Sequence, residues 1–368
     1  MTQQNRTIII AEAGVNHNGD VDLALKLVDK AAEAGADFVK FQTFKASKLA
    51  SGTAAKAAYQ KSTTDAGESQ LDMLRRLELP PAAHRVLIDR CAEKGISFLS
   101  TAFDLDSLAF LADDLGLKTL KLGSGELTNG PILLAAARSG MKLMLSTGMG
   151  SLSEVEEALG VIAFGLHREG APTGRADFAE TLLDPVVWVA LRDRVTLLHC
   201  TTEYPAAMAD TNLRAIDTMR AAFGLLVGYS DHTEGNAMSI AAVARGATVI
   251  EKHFTLDRTM AGPDHAASVE PIELTQLVRD IRAVEAGLGN GIKQPSAAEV
   301  RNRPIVRKSV VAATYLPEGH VIGPEDITVK RSEAGVSAMG FWDCIGRRLT
   351  RSVVRDMPLA SENLTWDA

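Results

Sequence analysis

Cysteine, an excess of positive charge and long apolar runs are all scarce in this 368-residue chain. Its three cysteines, Cys91, Cys200 and Cys344, are odd in number and far apart. That speaks against a disulfide framework or a zinc knuckle and leaves each as a small buried hydrophobe. A formal charge of -7 offers no basic face to a phosphate backbone, so nucleic acid is not an expected partner. No segment approaches the roughly 20 apolar residues that span a bilayer. Residues 1–6 lead into a strand pattern without a secretory hydrophobic region, so the expected location is cytoplasmic, with no membrane partner.

What the chain does contain is alternation. At roughly 150 residues per domain, its length points to two domains or to one barrel with an appendage. Eight short apolar runs, at 7–11, 38–41, 96–100, 119–122, 143–146, 196–200, 225–229 and 249–252, are separated by segments of helical period. Residues 21–34 place Leu23, Leu27, Val28 and Ala31 on one face, and 81–94 opens with Pro81, which a first helical turn accepts. Eight strand-then-helix units predict a (β/α)8 TIM barrel over 1–286, with functional side chains at the C-terminal strand ends. Residues 47–67 read as a long active-site loop and 165–184 as a surface insertion. Glycine and proline mark 287–305 as a linker. Residues 306–368 read as a small β-rich domain near the lower size limit for independent stability, with strand-like stretches at 309–313, 327–330 and 351–354.

The strand ends supply a chemical set. His232 and His253 each follow an apolar run, and a helix-like segment separates the two runs. If the runs are neighbouring parallel strands, both imidazoles emerge at one rim as the incomplete shell of a divalent metal, with water and substrate oxygens filling the rest. Such an open shell suits manganese or magnesium acting as a Lewis acid. Glu12 ends the first strand and is followed by Asn16 and His17. Lys40 and Gln42 share a face at the end of the second, and a lysine there wants an anion. Thr101 ends the third strand. In the fourth, Lys121 and Ser124 with Gly123 and Gly125 resemble a phosphate cradle, and Glu126 follows them. Ser146 precedes a helix N-terminus that supports anion charge. Thr202 and Tyr204 after the sixth run are placed to hydrogen-bond a polyhydroxylated substrate, and Ser230 closes the seventh. His199, inside its run, reads as a hydrogen-bonded core histidine.

These motifs, in this order, resemble the sialic acid synthases, which condense phosphoenolpyruvate with an N-acetylated amino sugar. The resemblance rests on Ala-Glu-Ala-Gly-Val-Asn-His-Asn-Gly at 11–19, Val-Lys-Phe-Gln-Thr at 39–43, Lys-Leu-Gly-Ser-Gly-Glu at 121–126, Leu-Ser-Thr-Gly-Met at 145–149, Ser-Asp-His-Thr at 230–233, Glu-Lys-His-Phe-Thr at 251–255 and Gly-Pro-Asp-His at 262–265. It implies a TIM barrel joined to a C-terminal antifreeze-like SAF domain, and a homodimer in which that domain caps the partner's barrel. It implies phosphoenolpyruvate contacts at Lys40, Thr101, Lys121, Ser124, Ser146 and Ser230, and metal ligands at His232 and His253 for manganese, with magnesium or cobalt as alternatives. Glu12 and Glu126 correspond to acid–base carboxylates, while Gln42, Tyr204 and Asp264 would hold the sugar. Arg331 corresponds to an arginine reaching the partner's sugar site, although Ser-Glu-Ala-Gly follows it where the family commonly has Pro-Gly. Thr202 stands where some synthases carry asparagine, which leaves N-acetylmannosamine and a 6-deoxy 2,4-diacetamido sugar as competing acceptors. Three other readings stay open on the residues alone: a different phosphoenolpyruvate-dependent 3-deoxy sugar acid synthase, a lysine-imine aldolase and a non-catalytic sugar-binding protein.

Overall fold

The computed structural model describes residues 6–57, 60–61, 64–65, 67–332 and 334–365. It divides into two compact units, Met1–Gly289 and Asn290–Ala368. In the first, eight strands close a barrel in sequence order: β1 (Ile8–Gly14), β2 (Phe38–Thr43), β3 (Ser97–Ala102), β4 (Thr119–Leu122), β5 (Lys142–Ser146), β6 (Val195–Cys200), β7 (Leu226–Asp231) and β8 (Val249–His253). Every neighbouring pair is parallel, and β8 closes on β1 with Glu12 opposite His253. The expected (β/α)8 architecture is therefore the observed one.

Local chemistry accounts for the helices between the strands. Val21–Ala34 starts at Asp20, whose carboxylate accepts from the N–H groups of Asp22 and Leu23, and ends at Gly35 with φ 83°. It buries Ala24, Leu27, Val28 and Ala31 against the barrel wall. Pro81–Lys94 has proline in its first turn and ends at left-handed Gly95.

Inside the barrel, Ile10, Leu99, Met144, Leu198 and Val249 form an apolar floor. Gly228 belongs to this layer because a Cβ there would meet Leu198, Val249 and the Val249 carbonyl at 2.6–2.7 Å. Side chains alternate along a strand, so the next inward position lies two residues on. Those positions are Glu12, Thr101, Ser146, Cys200, Ser230 and Glu251, and the same step on β2 and β4 brings in Lys40 and Lys121. A hydrophobic floor thus carries a polar layer at the C-terminal end of the barrel.

The predicted insertion contains the helix Arg175–Thr181, and its Phe178 ring packs edge-on to Phe164 at 5.7 Å. In the predicted loop, the Lys56 ammonium is buried and donates to the Thr64 hydroxyl, the Asp65 carbonyl and Glu68 at 2.8, 2.6 and 3.2 Å. Residues 58, 59, 62, 63 and 66 of that loop lie outside the described set. Among the described residues, no helix is long and apolar enough to cross a membrane.

In the second unit, β9 (Lys308–Ala312) pairs antiparallel with β10 (Ile327–Arg331). Val310, Leu316, Ile322, Ile327, Leu349 and Leu359 are among its core residues. Two sequence expectations change here. Residues 351–354 do not form a strand; Val353 makes a single bridge to Leu316, because the chain turns too soon for a second pair. The predicted linker also contains a helix, Ala297–Val306, started by a reciprocal Ser296–Glu299 capping box and tolerating Pro304 near its end.

Candidate active site

The polar layer opens into a cavity of about 150 Å³ at the C-terminal ends of the strands. Its lining includes Glu12, Lys40, Gln42, Thr101, Lys121, Ser124, Ser146, Thr202, Tyr204, Ser230, His232 and His253. A cavity of about 800 Å³ lies elsewhere, beside Phe44, Leu79, His84 and Phe110. Its Lys45, Arg75, Asp106 and Asp113 are all exposed to water, so the smaller cavity, where buried charges converge, is the better chemical site.

Four charged side chains organise it. Lys40 Nζ lies 2.7 Å from Glu12 Oε2 and 3.6 Å from Glu251 Oε2, and donates to the Thr101 hydroxyl at 3.0 Å. Lys121 Nζ lies 3.3 Å from Glu251 Oε1, which also accepts from the Ser230 hydroxyl at 2.8 Å. All four side chains are at most 4% exposed. Burial would raise the Glu251 carboxyl, but Lys121, Lys40 and Ser230 outweigh it and hold its pKa down at about 2. At Glu12 burial wins over the pull of Lys40, and the neighbouring Glu251 charge adds to it, so the pKa is pushed up to about 7. The two carboxylates compete for the same ammonium groups, and Glu251, with both lysines and a hydroxyl, takes the charge. Lys40 is raised: burial opposes its charge, but Glu12 and Glu251 prevail. Lys121 is lowered, first by burial, and Lys40 adds to that. Two buried lysines thus share one ionised carboxylate, Glu251, an arrangement receptive to an anion.

Hydroxyls surround this centre. Ser124 Oγ accepts from the Gly148 N–H at 3.0 Å. Ser146 Oγ and Thr202 Oγ1 are buried without a hydrogen-bond partner. Buried polar atoms normally find partners, so these two are placed for a ligand.

His232 and His253 sit 5.4 Å apart between ring centroids, with planes at 67°. The His232 Nδ1–H donates to the Thr201 carbonyl at 2.7 Å, which leaves its Nε2 lone pair available 3.4 Å from the Ser230 hydroxyl. Nδ1 of His253 is buried without a partner. Burial lowers both rings, His232 to about 4 and His253 well below its usual value, so both are neutral, as metal ligation requires. Tyr204 stacks on His232 at 4.1 Å. Among the described residues, no group of three or more His, Cys, Asp or Glu side chains could enclose a metal. Two neutral nitrogens, one orphaned, fit a divalent cation that takes its remaining ligands from water or substrate.

Three expected residues are not in this lining. Glu126, in the turn after β4, accepts from the Asn129 amide at 2.6 Å; burial raises its carboxyl, and Asp104 adds to that. Asp264, in the segment after β8, is buried and its carboxyl is pushed up to about 6, against the pull of Lys40. Arg331 lies exposed at the end of β10 in the second unit. Asn16 and His17 do not line the cavity either. The Asn16 amide donates to the Phe254 carbonyl and the Ser268 hydroxyl, both at 2.9 Å, and His17 Nδ1 accepts from the Gly19 N–H at 2.9 Å. His199 hydrogen-bonds the Thr211 carbonyl at 2.6 Å and stacks on Tyr229, a structural role.

Sequence reasoning passed over Glu251 as a site residue, along with Cys200 and Phe103, which also line the cavity. Glu251 precedes His253 by two residues, so strand alternation alone puts both on one face.

Comparison with known proteins follows the same division. The NeuB family model matches residues 27–293, and a SAF domain model matches 307–365. An N,N'-diacetyllegionaminic acid synthase of Campylobacter jejuni is 48% identical, over 95% of this chain and 98% of that protein. The enzyme of the same name from Legionella pneumophila is 42% identical, over 98% of this chain and 93% of its own. The crystal structure of an N-acetylneuraminic acid (sialic acid) synthetase from Leptospira borgpetersenii superposes with a TM-score of 0.64 at 33% identity, covering 82% of this chain and 93% of that one.

Proposed function

The chain belongs to the NeuB family, and we propose that it is a nonulosonic acid synthase condensing phosphoenolpyruvate with a 6-deoxy 2,4-diacetamido sugar and water, with release of phosphate. The observation that carries this reading is the convergence of Lys40, Lys121, Glu12, Glu251 and unpartnered hydroxyls on one cavity beside two neutral imidazoles. The choice of acceptor rests on likeness to two legionaminic acid synthases.

Lys40 and Lys121 would balance the phosphate and carboxylate of the enolphosphate, while Thr101, Ser124, Ser146 and Ser230 orient it. His232 and His253 would hold a divalent cation, manganese foremost, whose chemistry is Lewis-acid polarisation of the acceptor's aldehyde oxygen. Carbon 3 of the enolphosphate attacks the aldehyde carbon, the carbonyl π bond breaks as the new carbon–carbon bond forms, and the aldehyde oxygen takes the proton held by Glu12 to become a hydroxyl. Carbon 2 then gains oxocarbenium character, which the ionised Glu251 beside it stabilises. Water adds at carbon 2 as the ionised Glu12 accepts one of its protons, and the carbon–oxygen bond to phosphate then breaks as the ketone forms, the remaining hydroxyl proton leaving with the phosphate. A carboxyl near pKa 7 suits Glu12 to taking and returning a proton at neutral pH. Gln42, Tyr204 and Thr202 line the sugar side, and Glu126 and Asp264 support it from outside the lining. The exposed Arg331 is assigned to the sugar site of a second copy in a homodimer.

The test is phosphate release from phosphoenolpyruvate and manganese across an acceptor panel. Turnover is expected to be highest with a 6-deoxy 2,4-diacetamido sugar. Preference for N-acetylmannosamine would move the assignment to another member activity, and release with no 2-acetamido sugar would reject it.

A further inference from the structure

Behind the two histidines, on the barrel face turned toward the helices, lies a charged pair that the reaction above does not use. Asp231 and Lys252 are register partners across β7 and β8, and each immediately precedes a histidine. Strand alternation points them away from the cavity that Ser230, His232, Glu251 and His253 line. Their side chains are 0% and 1% exposed and 3.0 Å apart. Asp231 Oδ1 accepts from the Thr233 N–H at 2.9 Å and the Thr233 hydroxyl at 2.8 Å. Its Oδ2 accepts from the Ser239 hydroxyl at 2.6 Å, and Lys252 Nζ donates to the Thr233 carbonyl at 2.5 Å.

A fully buried ion pair seldom stabilises a fold more than an apolar pair of similar volume would, so stability alone is a weak reason for this one. Its connections suggest another. Lys252, on the strand that carries His253, reaches past His232 to the carbonyl of the next residue, and Asp231 holds that same residue by its N–H and hydroxyl. The backbone on both sides of His232 is thereby tied to the residue preceding His253. The His232 carbonyl is fixed as well, accepting from the Ala206 N–H at 2.9 Å.

We propose that Asp231 and Lys252 form a positioning clamp that sets the placement of the His232 and His253 imidazoles relative to each other, so that a divalent cation is held in one geometry. The clamp rests on the reading of these histidines as a metal pair. Groups that orient metal ligands from behind commonly change affinity by about 10- to 100-fold when removed.

The experiment titrates manganese alone into chelator-stripped full-length protein, by calorimetry and by electron paramagnetic resonance. It compares the wild type, His253→Ala, Ser239→Ala and the double variant Asp231→Asn with Lys252→Met. Wild-type binding that His253→Ala loses is the expected sign of the metal pair. The double variant should melt near the wild-type temperature yet bind manganese about tenfold more weakly, with a broadened resonance from a spread of geometries. Ser239→Ala, which removes one bond to Asp231, should show the same change in smaller degree and carries the test if the double variant does not fold. Wild-type affinity and line shape in the folded clamp variants would overturn the clamp while leaving the metal pair intact. Indistinguishable binding by wild type and His253→Ala would overturn the metal pair, and the clamp with it.

Discussion

Glu12 and Glu251 share one cavity and one lysine, yet burial leaves Glu12 near pKa 7 while two ammonium groups hold Glu251 at about 2. Replacing each by glutamine should therefore have different consequences. At pH 7 Glu12 is about half protonated already, so Glu12→Gln should cost less than about 1 kcal/mol of stability while lowering kcat by about 100-fold or more. Glu251→Gln keeps an acceptor for Ser230 but leaves Lys121 and Lys40 without their shared counter-ion. Removing one partner from buried charges costs about 3 kcal/mol, and urea denaturation at pH 7 should show that difference between the two variants. Most of this site was legible from residue types at strand ends, because a lysine or carboxylate there has few structural reasons to exist. Glu251 was not legible in this way, because it lies inside the apolar run 249–252, where the pattern marks strand core. The pKa ordering of the two acids was not legible at all, since it depends on distances to lysines contributed by other strands.

At the scale of elements, the eight barrel strands, four to seven residues each, were readable because short apolar runs recurred between capped helices. What the pattern hid was the change from floor to site two residues further along each strand. The segment after β1 shows a related limit: Asn16 and His17 follow Glu12 closely, yet they strap the loop to its surroundings instead of facing the cavity. Burial lowers His17 and His265 to about 4 each. An unfolded histidine titrates near 6.5, so between that value and about 4 the unfolded chain binds more protons than the folded one. The stability each contributes is therefore present above pH 6.5 and is lost as pH falls toward 4. Each should cost about 2 kcal/mol on going from pH 7 to pH 5. His17→Gln should show a correspondingly weaker loss when denaturation midpoints are compared at those two pH values.

At the scale of the whole molecule, the boundary between the units was readable from glycine and proline near residue 290, whereas the helix Ala297–Val306 was masked by its own proline. If Arg331 serves the barrel of a second copy, Arg331→Ala and Glu12→Gln chains should each be inactive alone. Mixed and allowed to exchange subunits, they should regain about a quarter of wild-type activity, because half the dimers are mixed and each of those has one complete site. No recovery in a mixture shown by mass measurement to contain mixed dimers would place Arg331 in its own chain's chemistry or in none. The account stands most directly on the fate of one atom. With phosphoenolpyruvate labelled by oxygen-18 at the bridging position, water attack at carbon 2 predicts that the label leaves in inorganic phosphate, one phosphate for each sugar consumed. Label retained in the organic product, or phosphate released without any sugar, would contradict it.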